Sequence, residues 1–572
     1  MNSHELVLQA SGFYFAYASW DKQSTIPLFQ NLDLHLTPGE CLGVMGASGT
    51  GKTTLCHIAN GLLSRLGEHH QSGSLVVLGH DVAKLKPEIL AGRIGATFQE
   101  IEHQLFNATV ENEIAWTLEA IGTPREEIID RIRWSLDVVG LDVDLDRAPY
   151  ALSGGQQRRL ALAVALAIKP ELIILDEPIG GLDPAGKLEV ATALDNLKQE
   201  TGAAILLTES DAETVLTLAD RLIVLSEGKA AMEGEPAVMF TQVPRMVDNE
   251  VQPPQMNRIV HNLKDYLPTP IADSNALIQS LQDLKIPTRG LEPETRDTET
   301  HYGDDPILEI DQVRYQYADG PLVLHDTSLV VPRGQFLALV GSNGSGKTTL
   351  VKHIIGLLRP SAGCIRINGD DIVDRRVPEL ARQVGFLFQQ PERQIFAESV
   401  RSELEFGPRN LGLDRISQRV ENALTQFDLQ DVADSPPSVL SYAQQRRVTL
   451  ASLAVMDQDL LVLDEPTVGL DRNGMKTTLE WCQSLQRQGK TTVLVTHDME
   501  VAAMADRVVV LESGKVVGDG APAAVFAADQ IMQRSQLNAP LAAKIAQQLN
   551  LPHIATIDAL CDVLIPVLKT AA

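Results

Sequence analysis

Three groups of residues in this chain carry chemistry by type and spacing, and two of them occur twice almost unchanged. The first group is a pair of glycine-rich loops, GASGTGKTT at Gly46–Thr54 and GSNGSGKTT at Gly341–Thr349. Each follows a short apolar run, Cys41–Met45 or Phe336–Val340, which is the strand–loop–helix setting that the G-x-x-x-x-G-K-[ST] pattern requires. Gly46, Gly49 and Gly51, and in the second loop Gly341, Ser342, Asn343, Gly344, Ser345 and Gly346, let backbone amides wrap phosphate oxygens. Lys52 and Lys347 reach the terminal phosphates, and the hydroxyls of Thr53 and Thr348 can ligate magnesium, with Thr54 and Thr349 beside them. The second group is two adjacent carboxylates at the end of an apolar strand: Asp176 and Glu177 after Leu172–Leu175, and Asp464 and Glu465 after Leu460–Leu463. One carboxylate of a pair can hold a magnesium ion, and the other can take a proton from an attacking water. The third group is Ser153-Gly154-Gly155-Gln156, a turn opening a helix whose free N–H groups and positive end can face an anion. Together these residues specify binding and hydrolysis of a nucleoside triphosphate, ATP being the common one, with Mg2+.

The elements that must position them repeat along the chain. Gly46 and Gly341 are 295 residues apart, and Asp176 and Asp464 are 288 apart. The difference reflects short insertions in the first half, mainly around Ser64–Ser72. Leu6–Tyr17 and Leu28–Leu36 alternate as strands of an antiparallel edge do. Ile128, Ile132, Leu136 and Val139 fall at i, i+4, i+8 and i+11, one face of a helix in an insert between the phosphate loop and the Ser-Gly-Gly turn. The repeat extends past each core: EPAVMF (Glu235–Phe240) matches APAAVF (Ala521–Phe526), and Pro254 falls opposite Pro540 in two similar helical tails. The expected organisation is a first α/β domain over 1–240 and a helical appendage over 241–282. An acidic linker follows over 283–305, then a second α/β domain over 306–526 and a second appendage over 527–572.

Composition narrows the partners. A formal net charge of −27 argues against a nucleic-acid platform, which needs a basic stripe to neutralise phosphates. Five scattered cysteines without a C-x-x-C pair give neither a zinc site nor a disulfide frame. The most apolar stretch, Leu160–Ile168, stops at Lys169, about half the roughly 20 residues that a spanning helix needs. No part of the chain is expected to cross a membrane.

The order of LSGGQ (Leu152–Gln156), LIILDE and a Gly181–Asp183 turn, following the phosphate loop, resembles the ATP-binding cassette (ABC) ATPases. That resemblance implies two P-loop NTPase domains in tandem, each with an antiparallel β edge and a helical subdomain. In the family the LSGGQ segment completes the ATP site of a partner domain, so the two halves are expected to pair head-to-tail. FQQPERQIFAESVRSELEFGPRNLGL (Phe388–Leu413) is similar to the energy-coupling factor (ECF) ATPases of cobalt, nickel and vitamin importers, and Phe98–Trp116 is a looser version. ECF ATPases also carry C-terminal helical domains for pairing. The implied partners are a transmembrane coupling subunit and a small membrane-embedded substrate-binding subunit, with this chain peripheral on the cytoplasmic face and no nucleic acid involved. By the same resemblance, Asp176 and Asp464 hold magnesium with Thr53, Thr348, Gln99 and Gln389. Glu177 and Glu465 are the general bases, Gln389 lies near the nucleophilic water, and His497 contacts the γ-phosphate. Tyr17 and Tyr317 stack on adenine, and Ser153–Gln156 and Ser441 with Gln444 form the signatures.

Two departures from the pattern make the halves unequal. In the second half the signature reads LSYAQ, with Tyr442 and Ala443 where the paired glycines are expected, so side chains stand where backbone must approach a phosphate. In the first half Glu209 stands opposite His497, where a carboxylate repels the γ-phosphate unless it is protonated or paired. Head-to-tail pairing puts both departures in one composite site, built from Lys52, Gln99, Glu177 and Glu209 with LSYAQ. The other site, with Lys347, Gln389, Glu465, His497 and Ser153–Gln156, is complete. Two competing readings are a fused ATPase of a monosaccharide importer and a soluble tandem ABC protein acting on ribosomes. The first is opposed by PERQIF after Gln389, and the second by the short acidic connection between the halves.

Overall fold

The unbroken apolar runs around the phosphate loops and carboxylates become buried parallel strands, and the alternating segments before them become an antiparallel edge. The computed structural model describes residues 6–18, 25–62, 68–84, 87–99, 101, 104–267, 271–284, 305–318, 320–551 and 553–571. Most of the expected linker (285–304), part of the insertion around 64–72 and residues 100, 102 and 103 lie outside the described residues. The chain divides into two units, Met1–Pro254 and Gln255–Ala572.

In the first unit, strand Leu8–Ala18 pairs antiparallel with Thr25–Leu36 on one side and His69–Val77 on the other. The six-stranded sheet runs in the order Lys229–Gly234, Arg221–Ser226, Cys41–Gly46, Ala204–Thr208, Leu172–Asp176, Ile94–Thr97. Four of its five pairings are parallel, and the fifth, at the edge strand 229–234, is antiparallel. Every residue of Leu172–Asp176 and Ala204–Thr208 is buried, as expected of strands covered on both faces. Helix Lys52–Ala59 joins the two sheets: Leu55, Cys56 and Ile58 share one core with Leu8, Phe13, Phe29, Val44 and Ile174. Phosphate loop, Gln99, Asp176–Glu177 and Glu209 therefore all leave the carboxyl ends of parallel strands, where open α/β sheets bind ligands. In helix Arg125–Val138, Ile132 and Leu136 are buried, as the spacing predicts, and Ile128 packs against the same core.

The second unit repeats this plan. Pro306–Gln316 lies between Leu322–Pro332 and Ala362–Ile367. The larger sheet runs Lys515–Gly520, Arg507–Glu512, Phe336–Val340, Thr491–Val495, Leu460–Asp464, Val384–Leu387.

The tails differ from two separate appendages over 241–282 and 527–572. Residues 236–251 pack on the first core through Met239, Phe240, Met246 and Val251. The helices Gln255–Asn262 and Ser274–Asp283 belong instead to the second unit. There Ile259, Leu263, Leu277 and Leu281 share one buried cluster with Ile545, Leu560 and Leu564 from helices Leu541–Gln548 and Ile557–Ala571. The reason is arithmetic of faces: each short helix has one apolar stripe and too little of its own chain to cover it.

Candidate active site

In both phosphate loops the glycines are needed by geometry. Gly46 has φ 149° and Gly341 φ 154°, and a Cβ on either would lie 2.4 or 2.3 Å from the carbonyl oxygen of Leu225 or Leu511. Lys52 Nζ bridges its loop, donating to Gly46 O at 2.7 Å and Ala47 O at 3.0 Å, and Lys347 does the same with Gly341 O and Ser342 O. The ammonium is thus held at the loop, where a terminal phosphate needs it. Tyr17 Oη lies 3.0 Å from Thr54 Oγ1 and Tyr317 Oη 3.2 Å from Thr349 Oγ1, so both tyrosines abut the helix that follows the loop.

The strand-end carboxylates are the most tightly specified part. Asp176 is buried, and its Oδ1 accepts from Thr208 Oγ1 at 2.5 Å, while Oδ2 is buried and accepts no hydrogen bond. Burial raises its pKa against the pull of Thr208, Thr53 and Lys52. Asp464 is pushed up to about 6, first by burial and then by Glu465, with Lys347 opposing. A buried carboxylate short of positive charge, beside a phosphate loop and a threonine hydroxyl, fits a divalent cation.

Glu177 and Glu465 both have left-handed backbone, φ 48° and 50°, a sparsely populated state for a residue with a Cβ. An arginine from the signature helix holds each turn. Arg158 donates to the carbonyls of Glu177 and Pro178 at 3.0 and 3.1 Å, and also to Gly180 O. Arg446, fully buried, donates to Phe388 O, Asp464 O and Glu465 O. Sequence reading missed both: an arginine one turn into a polar-headed helix reads as solvated, and only the fold shows that it faces inward.

The two glutamates have unequal partners. His497 Nδ1 is 2.7 Å from Glu465 Oε1, and Glu465 Oε2 is buried and accepts no hydrogen bond. Glu177 has both oxygens engaged, Oε1 by Ser210 Oγ at 2.9 Å and Oε2 by Gln99 Nε2 at 3.3 Å. Ser210, another residue the sequence reading missed, follows directly on Glu209. Gln389 bears a different contact: its carbonyl faces Tyr442 Oη at 3.5 Å.

Two sequence expectations change here. Glu209 does not stand as an unpaired charge. It is buried, accepts from Ile179 N, Ser210 N and Asp211 N, and is pushed up to about 8 by burial first, then by Glu177 and Asp211. Burial and the neighbouring carboxylates thus favour the neutral acid, the protonated case in which the repulsion is relieved. Nor does Tyr442 project from the signature. Its ring folds back onto Gly469, where a Cβ would sit 2.4 Å from Cε1. The signature backbone is built alike in both units. Gln156 N donates to Ser153 Oγ, Gln444 N donates to Ser441 Oγ, and each serine N–H donates back to the glutamine. The glycine-to-side-chain change is absorbed by rotamer direction, which no pattern reveals.

The segments after Gln99 and Gln389 are braced identically. Gln104 accepts from Phe98 N and donates to Ala96 O, and Gln394 does so with Phe388 N and Phe386 O. Buried Glu113 accepts from Phe106 N and Asn107 N, and buried Glu403 from Phe396 N and Ala397 N. Each brace presents an exposed edge-to-face aromatic pair, Phe106–Trp116 at 5.1 Å and Phe396–Phe406 at 4.6 Å.

A family model described as ABC transporter matches residues 29–180 and 324–468. The chain is 35% identical over 548 residues, 92% of itself and 89% of the relative, to a Methanosarcina acetivorans protein named "Putative ABC transporter ATP-binding protein". A Caldanaerobacter subterraneus subsp. tengcongensis protein of the same description is 35% identical over 91% of this chain and 93% of that one. A solved structure described as cbiO1 from Clostridium perfringens, part of the ABC transporter complex cbiONQ, is 34% identical. It covers 43% of this chain and 100% of that one, with a TM-score of 0.37.

Proposed function

The chain belongs to the ABC transporter ATP-binding proteins, a family that hydrolyses ATP, and from that premise we propose that it is the fused ATPase of an ECF-type importer for a vitamin or transition-metal ion. The observation that carries this reading is the braced, exposed aromatic pair beside Gln99 and again beside Gln389. Rigidly presented aromatics next to an ATP site are a docking surface for helices of a membrane subunit, and the repeat provides one for each coupling helix. Among the described residues no helix is long and apolar enough to cross a membrane. Attachment at the cytoplasmic face through a transmembrane coupling subunit and a small substrate-binding subunit follows from the reading.

Within it, two ATP molecules bind at the phosphate loops, and the halves pair head-to-tail so that each signature serves the opposite site. Thr53, Gln99 and Asp176, or Thr348, Gln389 and Asp464, would hold Mg2+, which when bound neutralises charge on the β- and γ-phosphates. In the second half Glu465 Oε2 is the free lone pair that takes a proton from the attacking water. His497 keeps Nδ1 on Glu465 and leaves Nε2 for the γ-phosphate. Turnover belongs to this site, and the Glu177 site holds ATP as a clamp.

The test is recovery from membranes in mild detergent. Wild type is expected with a polytopic partner, and Phe396→Ala combined with Phe406→Ala is expected to lose most of it while retaining ATP binding. Equal recovery of partner by that variant, or co-purification of wild type with ribosomes alone, refutes the proposal.

A further inference from the structure

The helix Gln255–Asn262 does more than cover the tail core: its first turn reaches the second ATPase core. Arg258 Nη2 donates to Glu500 Oε2 at 2.5 Å, in a pair whose side chains are only 18% and 37% exposed. Gln255, one turn earlier on the same helix, accepts from Leu541 N at 2.7 Å, tying the contact to the following tail helix. Glu500 lies in the one-turn helix Met499–Ala502, whose N-cap, Asp498, accepts from Glu500 N at 2.8 Å and Val501 N at 3.3 Å. His497 precedes that cap directly and bonds Glu465. Four residues of hydrogen-bonded structure thus separate the tail body from the buried Glu465.

A helix this short has little stability of its own, so its position is set by what it packs against. The first unit shows another way to set it. There the corresponding cap, Asp211, is anchored from within the ATPase core by Lys187 Nζ at 3.1 Å. Lys187 follows Gly186, the glycine bonded by Asp183. At the matching place after Gly474 the second unit has Met475, which offers no charge. The cationic anchor has moved from the core helix to the tail.

We propose that Arg258 is a positioning residue for ATP turnover: by holding Glu500 it fixes the loop that carries His497 against Glu465, so the joint helical body governs the competence of that ATP site. The proposal rests on the reading of Glu465 and His497 given above. It adds a dependence on a helix that is not part of either ATPase core.

The experiment uses the full chain with Mg-ATP and compares Arg258→Gln, Glu500→Gln, the exchange Arg258→Glu with Glu500→Arg, and His497→Ala. Steady-state phosphate release, thermal melting and amide hydrogen exchange are measured on each. Misplacement of a positioned group without loss of substrate contacts predicts a kcat lower by about tenfold for Arg258→Gln and Glu500→Gln, with KM within roughly twofold. Amide exchange is expected to rise over 496–503 and not over 208–218, and the charge exchange restores much of both. Glu500→Gln leaves the tail residues intact, so it decides the case if Arg258→Gln loosens the tail core. Unchanged exchange over 496–503 and unchanged kcat in Glu500→Gln, with turnover lost in His497→Ala, overturn this inference alone. Full turnover in His497→Ala overturns the reading beneath it.

Discussion

Replacing each strand-end glutamate by glutamine separates the two halves in a way the structure quantifies. Glu465 can accept a proton at Oε2 without giving up a bond, because His497 uses only Oε1. Each Glu177 oxygen already accepts one hydrogen bond, from Ser210 or from Gln99, and keeps only its second lone pair for a proton. A hydrogen bond to a charged group is worth about 1.5–3 kcal/mol, and its weakening as the carboxylate is neutralised slows the Glu177 half by up to about 10²-fold. Glu209 stands where the other half has the ring N–H of His497, and loss of one donor aimed at the developing phosphate charge costs about 10²–10³ at comparable sites. Even if the two effects overlap, the half with Glu177 contributes under about 1% of turnover. Glu465→Gln should therefore reduce steady-state phosphate release at least 10²-fold, and Glu177→Gln should leave nearly all of it. The assay is phosphate release by the two variants assembled with membrane partners, with nucleotide occupancy measured in parallel. Equal losses would refute the reasoning, since the partners of Glu177 would then be no obstacle to its acting as a base.

Three further outcomes are expected. Glu209 titrates near 8 in the folded chain against an ordinary value of 4.5, so the folded state holds its proton more tightly than the unfolded one does. The stability this gives is fully present below pH 4.5 and is lost as pH rises through about 8. Glu209→Gln should flatten that dependence by a few kcal/mol, on the order of 1.4 per pKa unit, in urea titrations at pH 6 and 8.5. Arg446→Ala leaves three backbone carbonyls and a buried void, and should cost about 3 kcal/mol or more in the same titration. Arg446→Lys should recover only part, because one ammonium cannot reach all three acceptors. Both phosphate loops have the same lysine bridge, so equilibrium dialysis should find two ATP per chain, and one would show that the Glu177 half has lost binding.

What could be read from sequence was whatever backbone geometry dictates. Glycines at φ near 150° against a carbonyl admit no substitute, so the phosphate loops announce themselves, as do buried parallel strands that must be apolar throughout. What could not be read depends on direction or on distant neighbours. The inward turn of Arg158 and Arg446, the fold of the Tyr442 ring onto Gly469 and the raised pKa of Glu209 are all set by packing across more than one element. The helices 255–283 show the same limit. Their apolar stripes are legible, but a stripe does not say what will cover it.

That shared core also sets an order of events during synthesis. Ile259, Leu263, Leu277 and Leu281 leave the ribosome more than 250 residues before Ile545, Leu560 and Leu564, which cover them. At about 5–20 residues per second they wait on the order of 10–50 s with their apolar faces uncovered. The nascent chain therefore carries a sticky patch through the whole translation of the second ATPase, and a truncation before Leu541 would leave it permanently exposed. Burial of the patch by the helix Ile557–Ala571 makes emergence of that helix the step that ends its exposure to chaperones and proteases.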